Sequence, residues 1–93
     1  MNYIDIPLVH NPSINRFELT IDDHTSFIDY KKNGDSISLL HTEVPPQLEG
    51  KGVAASMVEK TFQYVEEHNL KLIPSCSYVQ MFLKRHPEWE RLL

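Results

Sequence analysis

Ninety-three residues, 41% hydrophobic and 24% charged, have the composition of one modest globular domain over 1–93, with no linker, repeat or low-complexity segment to divide it. A net charge of −4 argues against a nucleic-acid partner, which needs a basic field. No apolar run approaches the roughly 20 residues of a membrane span, no signal peptide is visible, and a single cysteine excludes an intrachain disulfide, so the expected setting is the cytoplasm, with no membrane partner.

The first fourteen residues carry Tyr3, Ile4, Ile6, Leu8 and Val9, but Pro7 and Pro12 punctuate them. A short edge strand or a tail on a sheet is expected there. Arg16 to Ile21 alternates, with Phe17, Leu19 and Ile21 on one face, as a half-buried strand does. Asp22-Asp23-His24 reads as the turn, and Thr25 to Lys32 as a second strand built on Phe27, Ile28 and Tyr30. Asn33-Gly34 is a hairpin signal, because both central residues of a primed turn want positive φ. Ile37 to Val44 then returns antiparallel.

From Val53 the apolar positions Ala54, Met57, Val58, Phe62 and Val65 recur at helical steps, and the helix is expected to run to about His68, stopped by Asn69. Leu70 to Ile73 reads as a short strand parallel to the one before the helix. Ser75 or Ser77 can cap a second helix, with Val79, Phe82 and Leu83 inward until His86-Pro87 ends it. Trp89 and the last leucines are expected to close the core against the sheet. A meander followed by a crossover helix makes the class α+β.

The chain is organised around Val44 to Val53, Val-Pro-Pro-Gln-Leu-Glu-Gly-Lys-Gly-Val. Two prolines stop the sheet ladder, and two closely spaced glycines then open a helix. Amides in the first turn of a helix have no acceptor inside it, and the helix dipole places partial positive charge there, so the element suits a phosphate ester. A Walker loop is excluded, since Gly52 follows Gly50-Lys51 and position 45 is not glycine. Gly50-Lys51-Gly52-Val53-Ala54-Ala55 matches the dinucleotide pattern by letters, but five residues separate it from the strand and no carboxylate ends the next strand. The pattern Gln/Arg-x-x-Gly-x-Gly/Ala fits completely over Gln47 to Gly52.

That loop resembles the acetyl-CoA-binding loop of the GCN5-related N-acetyltransferase superfamily. The likeness is closer to its small, stand-alone members, through Pro74-Ser75-Cys76-Ser77-Tyr78 and the ending His86-Pro87-Glu88-Trp89. It covers about residues 15–93 and implies the GNAT-like acyltransferase fold, with acetyl-CoA as co-substrate. It further implies that the pantetheine arm pairs with main chain near Thr42 and Val44, where that strand splays from the next. Gln47, Leu48, Glu49, Gly50, Lys51, Gly52 and Val53 would cradle the diphosphate, mostly through amides from Leu48 to Val53. The thioester would lie between the strand ends, near Cys76.

Cys76 stands at the start of the second helix, where unpaired amides favour a thiolate. Its readings are a transient acetyl acceptor, a thioester contact, or a small buried hydrophobe. Tyr78 either protonates the departing CoA thiolate or stacks on Phe82, four residues on. His41 and Glu43 share one face of their strand, and either can serve as base toward an ammonium acceptor. If His41 faces Cys76, a thiol–imidazole pair forms. His10, His24 and His68 sit in expected turns without ligand spacing, His86 belongs to helix termination, and no metal site is expected. Lys84 and Arg85 are either a solvated helix end or neighbours of the adenosine 3′-phosphate.

With only a short turn between the first two strands and little chain after Trp89, the acceptor side is expected to be open, as suits a protein, peptide or polyamine amine. The acceptor itself is not specified. A monomer or weak homodimer is expected. The rival reading is a non-catalytic CoA-binding or sensing module acting through protein contacts, and a third is a domain of this fold that binds no cofactor.

Overall fold

In the computed structural model, which describes residues 3–93, alternating side chains build one five-stranded sheet in chain order. Expectations for Met1 and Asn2 lie outside the described residues. A short strand β1 (Val9–Asn11) edges the sheet against β2 (Arg16–Ile21), as expected for this stretch. β3 (His24–Asn33) and β4 (Ser36–Glu43) complete an antiparallel meander. Phe17, Leu19, Ile21, Ile28, Tyr30, Ile37 and Leu39 are buried on one face, which is the core face.

Two turns differ from expectation by a residue. The β2–β3 turn is Asp22-Asp23 alone, both with positive φ (50° and 64°), and His24 already pairs with Ile21. Aspartate tolerates the left-handed region that such a tight turn demands. At the next hairpin Asn33 pairs with Ser36, so the turn is Gly34-Asp35, and Gly34 supplies the positive φ of 60°.

Helix α1 (Val53–Glu67) buries Met57, Val58, Phe62 and Val65 against the sheet. Thr61 is also buried, its hydroxyl donating to the Met57 carbonyl at 2.8 Å. That bond satisfies the polar group within the helix. Asn69, at φ 54°, turns the chain into β5 (Lys71–Pro74), which pairs parallel with β4. Helix α2 (Ser77–Arg85) follows and sets Phe82 edge-on to Phe62, with centroids 5.5 Å apart. Neither serine caps it: the cap position is Cys76, and no side chain forms a cap hydrogen bond. A 3-10 segment, Pro87–Leu92, folds back so that Trp89 packs on Phe62 and Arg91 pairs with Glu66 at 2.6 Å. Trp89 thus closes the core over α1, not on the sheet.

The irregularity that positions the site is in β4. Asp29 pairs with His41, but its neighbour Tyr30 pairs with Leu39, so Leu40 is an extra residue. Such a bulge shifts the alternation by one. Beyond it Thr42, opposite buried Ile28, shares the core face, while His41 and Glu43 turn outward opposite Asp29 and Phe27.

Candidate functional site

The loop after β4 is a pinned turn. Leu48 is buried, its amide donating to the Pro45 carbonyl at 2.9 Å, and the Glu49 amide donates to Pro46 at 3.3 Å. These two amides close the turn, so the donors left to a ligand begin at Gly50, later than the expected Leu48. Gly50 and Gly52 have φ of 74° and 75°, and a Cβ on either would meet nothing within 4 Å. The glycines therefore answer a conformational demand, not a shortage of room. Gly52 is the N-cap of α1, and the first bond inside the helix runs from the Ser56 amide to the Gly52 carbonyl at 3.1 Å. Val53, Ala54 and Ala55 are left with amides that have no acceptor within the helix. A cleft of about 240 Å³ opens beside them, bounded by Val44, Gly50, Gly52 and Tyr78. Gln47, Glu49 and Lys51 are exposed, and of the three Glu49 borders the cleft.

A second opening is the gap between β4 and β5. Their pairing runs from Ser36 with Lys71 to Leu39 with Pro74, and the Cys76 amide adds one bond to the Leu39 carbonyl at 2.8 Å. Past Leu39 the strands part, so β4 from Leu40 to Glu43 pairs with no strand on that edge among the described residues. Pro74 carries no donor and its carbonyl accepts from the Gln80 side chain at 2.8 Å, so the last residue of β5 has no main-chain group left for further pairing.

Cys76 sits at the head of this gap. The thiol is buried, 8% exposed, and lies 3.5 Å from the Thr42 hydroxyl. Burial opposes the thiolate, but the Thr42 hydroxyl and the amides of Val79, Tyr78 and Thr42 outweigh it, and the thiol titrates below its ordinary value. Sequence reasoning assigned Thr42 by its main chain alone. Its side chain reaches the sulfur only because the bulge at Leu40 turns it inward, and that bulge has no signal in the sequence.

The same bulge carries His41 away. Its ring lies 6.1 Å from Phe27 on the outer face, while Thr42 faces Cys76, so the thiol–imidazole pair is not formed. Glu43 shares that outer face. Tyr78 borders the cleft, and burial raises its hydroxyl against a weaker opposing effect of Arg85. Phe82, its proposed stacking partner, meets Phe62 and His86.

A second polar cluster went unread. His10 is not in a turn but in β1, with Nε2 2.6 Å from the Tyr30 hydroxyl and Nδ1 3.3 Å from that of Tyr64. Its ring stacks on Phe17 at 4.8 Å. Burial first, and then His68, hold its pKa below the usual histidine value. A lone histidine among prolines gives no hint of partners that lie on β3 and α1. Among the described residues no group of three or more His, Cys, Asp or Glu is placed to hold a metal.

A five-stranded mixed sheet, a positive-φ loop opening α1 and a splay beyond it define a class, and the comparisons name it. The profile of the GCN5-related N-acetyltransferase family matches residues 16–92, and the chain belongs to that family. In sequence it is similar to the protein NATD1 of Xenopus tropicalis, 35% identical over 52 residues, 56% of this chain and 48% of that one. The human NATD1 is 35% identical over 51 residues, 55% of this chain and 45% of that protein. The zebrafish Danio rerio protein is 36% identical over 61 residues, 62% and 56% of the two chains. The chain thus spans about half the length of these relatives. In fold it is similar to a GCN5-like protein of Staphylococcus aureus solved in solution by NMR, with a TM-score of 0.72 over 96% of this chain and 88% of that one. At 24% identity that likeness shows the fold. Among the described residues no helix is long and apolar enough to cross a membrane.

Proposed function

We propose that this chain transfers an acetyl group from acetyl-CoA to an amine on a protein, peptide or polyamine. The observation that carries the reading is a cleft at the first-turn amides of α1, bordered by Val44 just past β4 and by Tyr78, two residues beyond a thiol held below its ordinary pKa. Amides from Gly50 to Ala55 suit the diphosphate, because they are fixed before the ligand arrives. The main chain of Val44 and the unpaired edge of β4 suit the amide-bearing pantetheine arm. The Thr42 amide faces the sulfur of Cys76 and is shared with it.

In direct transfer the amine nitrogen bonds to the thioester carbonyl carbon, the carbon–sulfur bond breaks, and CoA leaves as a thiolate. Tyr78 borders the cleft and keeps its proton through a raised pKa, and in this reading it gives that proton to the thiolate. The amine sheds its own proton to water or to His41, the latter only for an acceptor crossing the outer face. In the relayed version the Cys76 thiolate takes the acetyl group first, releasing CoA, and the amine then takes it from Cys76. One observation favours the rival, a CoA-binding module acting through protein contacts: a hydroxyl and amides surround the Cys76 sulfur, not a general base.

Incubation with acetyl-labelled acetyl-CoA, alone and with a lysine peptide or spermine, tests the reading. Release of CoA faster with amine than with buffer is the expected result. Binding without label on Cys76 or on any amine supports the rival.

A further inference from the structure

The segment before the sheet does more than edge it. Tyr3 is 4% exposed, and its hydroxyl donates to the Lys51 carbonyl at 2.9 Å, a contact across 48 residues of chain. Lys51 stands between Gly50 and Gly52, both in the left-handed region. From Tyr3 the chain passes Ile4, Ile6 and Leu8 along grooves on α1 that Lys60 and Gln63 help to line. It then enters β1, where His10 is held by Tyr30 and Tyr64.

The peptide between Lys51 and Gly52 is planar and trans, so its carbonyl oxygen and its amide hydrogen point in opposite directions. Glycine on its C-terminal side makes this unit easier to rotate, since the rotation changes φ of Gly52 and glycine takes either sign of φ at little cost. A donor fixed on the Lys51 carbonyl removes that freedom. With the carbonyl turned to Tyr3, the Gly52 amide turns the other way, and Gly52 borders the cleft while Tyr3 does not. Resting on the proposed reading of that cleft as the CoA site, we infer that Tyr3 is a positioning residue, fixing the Lys51–Gly52 peptide so that the Gly52 amide is presented to the diphosphate. Tyr3 lies before residues 16–92, which the family profile matches, so the contact comes from the N-terminal segment ahead of them.

Tyr3→Phe deletes the hydroxyl and keeps the ring in the core. Calorimetric titration compares CoA with pantetheine, which lacks the diphosphate, on both forms of the full chain. The proposal expects CoA to bind about tenfold more weakly to Tyr3→Phe, the loss of one charge-assisted hydrogen bond's orientation, and pantetheine to bind both forms alike. Amide spectra of the free protein should differ at positions 50–53 and agree elsewhere, which also verifies the fold. Equal CoA affinity in the two forms overturns the proposal and leaves the CoA reading standing, as does an equal loss for CoA and pantetheine. If the wild-type chain binds no CoA, the functional reading itself fails, and this inference with it.

Discussion

Thr42 decides the chemistry available to Cys76. The sulfur is buried, which disfavours charge, yet one hydroxyl and three amides reverse the balance. Removing the hydroxyl should therefore push the thiol upward. Thr42→Val, close in shape, is expected to move the pH midpoint of Cys76 alkylation by iodoacetamide to higher pH than in the wild type, and to slow alkylation at neutral pH. An unchanged midpoint would show that the amides suffice alone. The position of Cys76 just past β5 was legible in the sequence, and so was its setting at a helix start. Its partner was not, because side-chain reach across a strand gap depends on register.

At the scale of elements, β4 and the N-terminal segment hold the interest. Deleting Leu40 removes the extra residue and restores simple alternation, with His41 still opposite Asp29 on the outer face and Thr42 still opposite Ile28 on the core face. Alkylation of Cys76 in the deletion variant should therefore keep the wild-type pH midpoint, and a raised midpoint would contradict this register. The hydrophobic periods of β2, β3, β4 and α1 were readable because burial imposes them residue by residue. The bulge was not, since an inserted residue among Leu39, Leu40 and His41 looks like continued strand. The hairpin signal at Asn33-Gly34 found the right turn but missed its register, because Gly34 fits either central position. The N-terminal segment hid most: His10 and Tyr3 gain their roles from β3, α1 and the glycine loop, far off in sequence.

His10 gives this segment a pH dependence. Its folded pKa lies below the ordinary 6.5 of histidine, so the unfolded chain takes up the proton first as pH falls. The stabilisation is whole above that value and is lost as pH drops from it toward the folded pKa. The groups facing the ring are Tyr30 from β3 and Tyr64 and His68 from α1, with Lys60 and Glu67 along the same groove. Thermal melts at about pH 7.5 and about pH 5.5 should differ more for the wild type than for His10→Phe, which carries no proton to gain. Equal differences would remove His10 from the account.

For the whole molecule, one sheet face carries the core and both helices, while Arg16, Phe27, Asp29, His41 and Glu43 lie on the other. The net charge of −4 repels a polyanion at long range, so any CoA compound must be held by local, oriented donors. A native-state ligand at about a hundred times its Kd adds about 2.7 kcal/mol, so saturating acetyl-CoA should raise the Tm by several degrees. The most direct measurement follows the amide resonances of the full chain through a titration with CoA. The account predicts saturable shifts at Gly50, Lys51, Gly52 and Val53, at Thr42 on β4 and Val44 just past it, and at Cys76. Resonances from Gly50 to Val53 that stay fixed under a large excess of CoA would contradict it.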